Sequence, residues 1–326
     1  MTANRKKLLL PTEMARAGWA VLDGRDDIEA VPFSPTLAEA DFHAELATAS
    51  GVALWGRPFR AADVAAAPHL QAVGRIGVGY DAVDVPALSA RGIPLLIAGT
   101  ANSVSVAEQA LFFMFHLARQ GFAQDRVVRE GRWADKFQHK MFDLYAKTLL
   151  IVGFGRIGTR LAARCLALEM TILVHDPFVA EDMIRARGCT PAPELDTALA
   201  RADFVSIHCP KNPATIGLFN ATRLAHMKPG AFLVNTARGG IIDEAALHAA
   251  LTGGKLAGAG LDVFLDEPTA ADNPLLKLPN VIVAPHMAGV TQESLDRMAV
   301  ACVRNILSVI DGKPERENVV NKEVLG

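Results

Sequence analysis

Cysteine is scarce in this 326-residue chain. Cys165, Cys189, Cys209 and Cys302 stand far apart and form no C-x-x-C pair. Such spacing argues against a disulfide framework or a cysteine-based metal site, so the thiols read as reduced, the protein as cytoplasmic, and no metal is expected. A dominant charge is missing as well. The chain has 33 Lys and Arg against 35 Asp and Glu, a formal net charge of -2, which gives no electrostatic reason to propose nucleic acid or an anionic membrane as partner. Long hydrophobic runs are also absent. The opening MTANRKKLLLP is basic and then briefly apolar, too short for a signal-peptide core or a membrane span, and reads as a first strand stopped by Pro11. No internal repeat or low-complexity segment stands out.

What is present is a large apolar fraction, 51% of residues, in a chain long enough for two domains. The most informative stretch runs from Thr148 to Met170, TLLIVGFGRIGTRLAARCLALEM. An apolar run ends at Gly153, Gly155 and Gly158 complete G-x-G-x-x-G, a helical pattern follows, and a second apolar run ends at His175-Asp176. This is strand, tight turn, helix, strand, acid, the arrangement that binds a dinucleotide. Gly153 permits the sharp turn, Gly155 lets backbone approach a pyrophosphate, Gly158 lets helix and strand pack closely, and the helix N–H groups face the anion. Asp176 is placed to accept hydrogen bonds from the adenosine ribose and to repel a 2′-phosphate, which favours NAD over NADP.

The first third alternates short apolar runs with helical stretches. Strands are expected at 7–10, 28–31, 51–55, 72–77 and 93–97, and helices at 13–20, 36–49, 61–67 and 85–90. That alternation predicts a parallel sheet covered on both faces. A long apolar helix spans 104–120, and 136–147 is a connecting segment. Six strands are expected in the second domain, at 149–152, 171–174, 204–207, 232–235, 258–261 and 281–283. A last helix covers 292–310, and the polar tail from 313 to 326 can pack back on the first domain. The fold class is α/β, with two doubly wound parallel-sheet domains.

Three strand ends carry polar groups beyond an apolar run: Asn235-Thr236-Ala237-Arg238-Gly239-Gly240, Asp262 with Glu267, and Pro285-His286. Singly, each is as consistent with an ordinary loop. Together they form a site at the carboxyl ends of neighbouring strands. Arginine suits bidentate carboxylate binding. An acid beside an imidazole fixes its tautomer and favours its protonated form, which makes the pair a general acid for ketone reduction and a base for alcohol oxidation. Arg238, Glu267 and His286 are therefore the candidate catalytic residues.

With these residues in view, the chain resembles the D-isomer-specific 2-hydroxyacid dehydrogenases, in particular phosphoglycerate dehydrogenase-like members without a regulatory extension. The resemblance is carried by RIGVGYDAVD (75–84), ANSVSVAE (101–108), GFGRIG (153–158), HCPKNPATIGLFN (208–220), MKPGAFLVNTARGGIIDEAAL (227–247), LDVFLDEP (261–268) and PHMAG (285–289). It implies the same roles for Arg238, Glu267 and His286. It implies that Asp262 meets the nicotinamide carboxamide, and that Val106, Arg156, Ile157, Cys209, Pro210, Thr215, Thr236, Ala237 and Gly289 also line the cofactor. Val78 and Gly79 would offer backbone N–H groups to the substrate carboxylate, with Trp55, Arg57, Asn102 and Ser103 on the substrate side. The resemblance further implies a Rossmann-type NAD domain (101–289) inserted into a flavodoxin-like substrate domain (1–100 plus 290–326), a cleft that closes on substrate, and two-fold homodimers.

Some positions depart from the family pattern. Members acting on phosphoglycerate often carry arginine directly after the third strand, where this chain has Trp55. Either Arg57 compensates, or the substrate is not phosphoglycerate. His116 reads as a packed residue, while Trp133 and His139 could approach the site. The leading reading is an NAD-dependent 2-hydroxyacid dehydrogenase or 2-ketoacid reductase. The alternative is an NAD(H)-sensing corepressor-like binding protein, which can keep the same three residues. Formate enzymes of this fold place glutamine where Glu267 stands.

Overall fold

The computed structural model describes residues 5–138 and 140–326; His139 lies outside them. The chain divides into two compact units, Met1–Asn102 with Val290–Gly326, and Ser103–Gly289.

The first unit begins with β1 (Lys6–Pro11), α1 (Arg16–Ala20), β2 (Ile28–Phe33), α2 (Glu39–Leu46), β3 (Gly51–Leu54), α3 (Ala61–Ala65), β4 (Ala72–Arg75), α4 (Val85–Ala90) and β5 (Leu95–Ile97). The strands form one parallel sheet of order β2-β1-β3-β4-β5. The inner part of β1 and all of β3 read as apolar runs because both faces of the sheet are covered there. Leu9, Val52 and Val73 pack with Phe42, Phe59 and Leu88; Leu8, Leu10 and Ala53 pack in the opposite layer. Helix α2 is shorter than expected. It starts at Glu39, because Pro35 and the turn after it hold the preceding residues out of the helix.

The second unit opens with α5 (Ser103–Arg119) and α6 (Gly121–Arg129), then a 3-10 turn over Trp133–Phe137. There follow β6 (Thr148–Val152), α7 (Gly158–Ala167), β7 (Thr171–His175), α8 (Glu181–Arg185), β8 (Thr190–Pro191), α9 (Leu195–Leu199), β9 (Phe204–Ile207), α10 (Ala221–His226), β10 (Ala231–Asn235), α11 (Glu244–Thr252), β11 (Leu256–Leu261) and β12 (Val281–Val283). The sheet has seven parallel strands, β12-β11-β10-β9-β6-β7-β8. Six were expected. The seventh, β8, is two residues of edge strand ending in proline, too short for any periodicity to mark it. Reading outward from β6, this is the doubly wound dinucleotide order, which reverses between β6 and β9 and opens a crevice at the carboxyl ends there. One face is covered by α9, α10 and α11. The other is covered by α5 and α7, through Phe113, Met114, Leu117 and Leu161. The outward side of α5 and the segment after it leave large apolar side chains exposed, including Phe112, Phe115, Phe122, Trp133 and Tyr145.

The chain then returns to the first unit with α12 (Gln292–Ile310), capped by Thr291. Cys302, Val303 and Ile306 sit fully buried in the layer of Leu8 and Ala53. The tail closes the edge of the first sheet. Val319 bridges Leu96 antiparallel, Val320 N–H donates to Leu95 O at 2.9 Å, and the Asn321 side chain accepts from Leu95 N–H at 2.8 Å and donates to Ile93 O at 2.9 Å. No described helix is long and apolar enough to cross a membrane.

Candidate active site

The fingerprint turn shows three different reasons for glycine. Gly153 has φ +98, and a side chain there would run into the backbone of His208 and Cys209. A Cβ on Gly158 would strike Gly153 O, so helix and strand pack as closely as they do only without one. A Cβ on Gly155 would meet nothing within 4 Å. Among the described residues the space beside this backbone is open, and a pyrophosphate approaching the turn would fit there. Asp176 follows β7 and accepts from Phe154 N–H at 2.7 Å and Phe178 N–H at 2.9 Å. It therefore latches the turn while keeping lone pairs for a ribose.

Most of the other positions expected to line the cofactor fall in the loops after β6, β9 and β10 and, for Val106, in α5. Thr215 Oγ1 donates to Pro210 O at 2.6 Å and accepts from Asn212 N–H at 2.8 Å, which clamps the loop after β9. Cys209 stands beside the fingerprint turn, its thiol pushed up to about 11, first by burial. Val106 is buried on α5, Ile157 is half-buried and Arg156 exposed. Among the described residues, His208 Nδ1 and Thr236 Oγ1 are two of three buried side-chain polar atoms with no hydrogen-bond partner, the third being Gln124 Nε2. The register of β9 and β10 puts His208 and Thr236 side by side, one position past Ile207 and Asn235. His208 was not singled out from the sequence. Burial pushes its pKa down to about 3, and its Nε2 lies 2.8 Å from Ser206 Oγ. The pattern H-C-P at a strand end was the available signal.

The three candidate catalytic residues lie at the ends of β10, β11 and β12, which are adjacent in the sheet. Asn235 shapes the first turn, its Oδ1 accepting from Ala237 N–H at 3.0 Å and its Nδ2 donating to Arg238 O at 2.9 Å. The Arg238 guanidinium donates to Ala237 O at 2.7 Å. Gly239 is required by close approach, since a Cβ there would lie on Phe264 O. Glu267 and His286 are brought together: Oε2 is 2.6 Å from Nδ1. The other Glu267 oxygen accepts from Phe264 N–H at 3.0 Å. This contact makes Nδ1 the donor and leaves Nε2 as the nitrogen available to a substrate.

His286 has φ +56, in the left-handed region, a strain of about 1–3 kcal/mol for a non-glycine residue. Asp262 offsets it. Its carbonyl accepts from His286 N–H at 2.7 Å, and its carboxylate accepts from Met287 N–H at 2.8 Å and Ala288 N–H at 2.9 Å. Burial raises the Asp262 pKa, opposed by those two N–H groups and by His286. Asp262 thus holds the histidine loop directly, a role the sequence did not disclose.

Of the positions expected on the substrate side, Trp55, Arg57, Val78, Gly79 and Asn102 belong to the first unit and Ser103 to the second. Val78 and Gly79 follow β4, and among the described residues neither backbone N–H has a hydrogen bond. Trp55 packs partly against the layer of α12. Arg57 Nη1 donates to Leu37 O at 2.7 Å and Pro35 O at 3.1 Å, and its guanidinium lies over the Phe42 ring at 4.1 Å. Asn102 ends the first unit. Ser103 is buried at the start of α5 and accepts from Arg160 Nε at 2.7 Å. Trp133 is exposed.

Residues 111–288 match the family model of the D-isomer specific 2-hydroxyacid dehydrogenase NAD binding domain. The chain belongs to the D-isomer specific 2-hydroxyacid dehydrogenase family. It is 42% identical over 258 residues to a D-3-phosphoglycerate dehydrogenase of Archaeoglobus fulgidus, an alignment covering 79% of this chain and 48% of that one. It is 39% identical over 277 residues to a glyoxylate reductase of Korarchaeum cryptofilum, covering 84% and 83%. Among solved structures, a glyoxylate reductase from Paecilomyes thermophila superposes with a TM-score of 0.86 at 29% identity, covering 98% of this chain and 99% of that one. The chain spans about half the length of the phosphoglycerate dehydrogenases it matches. Two parallel-sheet α/β units, one of dinucleotide-binding order, are the architecture expected of the family.

Proposed function

We propose that this member of the 2-hydroxyacid dehydrogenase family is an NAD-dependent enzyme that interconverts a small 2-keto acid and its 2-hydroxy acid, with D specificity. The observation that carries the reading is the Glu267–His286 pair at 2.6 Å, set on strand ends next to the Arg238 turn of a dinucleotide fold. Bound NADH supplies the hydride that reduces the ketone carbon. His286, protonated, gives the proton at Nε2 to the ketone oxygen and takes it back in the reverse direction. Glu267 fixes the tautomer through Nδ1 and stabilises the imidazolium. Arg238 holds the α-carboxylate and polarises the ketone oxygen. The unpaired N–H groups of Val78 and Gly79 suit a carboxylate oxygen, which supports the first unit (1–102 with 290–326) as the substrate domain.

Asp176 supports NAD over NADP, since a 2′-phosphate would face its carboxylate. Substrate choice falls on an unphosphorylated acid such as glyoxylate or hydroxypyruvate. Trp55 stands after β3, and Arg57 is engaged by two carbonyls and Phe42. The exposed apolar face of α5 and its neighbours supports a two-fold homodimer. The unpaired thiols are consistent with a cytoplasmic enzyme.

The deciding experiment is NADH consumption over a panel of 2-keto acids, phosphorylated and sulfonated ones included. Turnover with at least one unphosphorylated acid is expected, and His286→Ala should lower it by about 100-fold or more with NADH binding retained. No turnover across the panel, or an unimpaired His286→Ala enzyme, rejects the reading.

A further inference from the structure

The motif GGIIDEAAL contains an acid that this catalytic scheme does not use. Glu244 is the first residue of α11, and the preceding Asp243 caps the helix through Ala246 N–H. A cap therefore does not explain Glu244. Its half-buried carboxylate points away from its own helix and takes two donors from the loop that carries Glu267. Oε1 accepts from Leu265 N–H at 2.6 Å, and Oε2 accepts from the Asn273 amide at 3.1 Å. Asn273 in turn donates to Thr269 Oγ1 at 3.0 Å and accepts from Leu275 N–H at 3.0 Å, so both ends of the loop are tied.

Two consecutive backbone donors are then shared between two acids. Phe264 N–H goes to Glu267 and Leu265 N–H goes to Glu244. The Phe264 carbonyl lies where a side chain on Gly239 would be, so the same dipeptide abuts the Arg238 turn. A continuous path runs from α11 through Leu265 and Phe264 to Glu267 and on to His286.

We propose that Glu244 is a positioning residue that holds the Glu267 loop against the Arg238 turn, so that Glu267 stays within hydrogen-bond reach of His286. The inference rests on the reading of Glu267 and His286 as the proton-handling pair. A carboxylate is needed there because both partners are donors and point in from different parts of one loop; a neutral amide satisfies one and opposes the other. Charged acceptors also make the stronger bonds to N–H groups. Of the other charged residues on these strand ends, Asp262 holds the His286 loop, Asp266 precedes Glu267 in its loop, and Arg238 follows β10, two strands from β12. None of them contacts Leu265 N–H.

The test uses the full chain labelled with 15N-histidine and no cofactor added, together with steady-state kinetics. The His286 Nδ1 proton is assigned by its loss in His286→Ala. Glu244→Ala should make that proton exchange with water about tenfold faster and lower kcat about tenfold, with the keto-acid KM and the NADH Kd within about twofold, as expected when a group is misplaced and none is removed. Glu244→Gln should fall between the two. Wild-type exchange and kcat in folded Glu244→Ala would overturn the proposal. If Glu244→Ala does not fold, Glu244→Gln decides: exchange at the wild-type rate overturns the proposal and faster exchange supports it. The exchange measurement needs no substrate, so an enzyme inactive with every 2-keto acid would reject the proposed function while leaving this result interpretable.

Discussion

His208 shows how a single buried residue can mark a strand end beside the fingerprint turn. Its Nδ1 is buried and unpartnered, beside an unpartnered Thr236 hydroxyl. Burial lowers its pKa from 6.5 to about 3. The unfolded chain therefore takes up a proton near pH 6.5 that the folded chain refuses until about pH 3. Stability is fully present above 6.5 and is lost as pH falls toward 3. At about 1.4 kcal/mol per pH unit the loss at pH 4 is on the order of 3 kcal/mol. Urea unfolding of His208→Gln between pH 7 and pH 4 should show a clearly shallower decline than wild type. An unchanged slope would remove His208 from the acid limb. Asp176 makes a second prediction at this scale. Asp176→Ala should weaken NAD relative to NADP, read from the two binding constants. Because the acid also latches Phe154 N–H, NADP affinity should not rise as far as removal of charge alone would give.

At the scale of elements, the tail at Asn321 behaves as an edge strand's cover. Its side chain takes the N–H of Leu95 and gives to the carbonyl of Ile93 while almost wholly buried. Asn321→Ala leaves both backbone groups without partners, at a cost of about 1–3 kcal/mol each. A lowered urea midpoint is expected for this variant, and an unchanged one would show water taking over. Most elements were legible because most strands, β3, β6, β7 and β10 among them, are short apolar runs, and α12 falls on the residues its pattern marked. Helix starts were less legible. Pro35 and a local turn, not propensity, decide where α2 begins. Strand ends made Arg238, Glu267 and His286 candidates. Glu244, Asp262 and His208 were not legible in what they do, since their roles reside in hydrogen bonds to residues 21 to 29 positions away or in buried atoms with no partner. Periodicity carries no trace of either.

Across the whole molecule, the thiols form a set. All four cysteines are free. Cys165 and Cys302 are pushed up to about 12 and Cys209 to about 11, in each case first by burial, and Cys189 is raised for the same reason. A thiol-reactive chromophore should label the native protein slowly and all four groups rapidly in denaturant. Fast labelling of Cys165 or Cys302 in the native state would contradict their burial.

The return of α12 to the first unit has a consequence for how the chain is made. The layer formed by Leu8, Ala53 and Ala72 is closed by Cys302, Val303 and Ile306, nearly the full sequence length away. On a ribosome the segment 1–102 emerges before 290–326 and must wait, with only Met14, Trp19 and their neighbours on the face that α12 completes. The segment 103–289 has all its strands and both helical layers in one continuous run and can fold while the first still waits. The first unit is therefore completed after the second can be, through contacts spanning almost three hundred residues of sequence, a non-local closure of the kind that slows folding. Until then the part of this layer that α12 will cover is the surface a chaperone would meet.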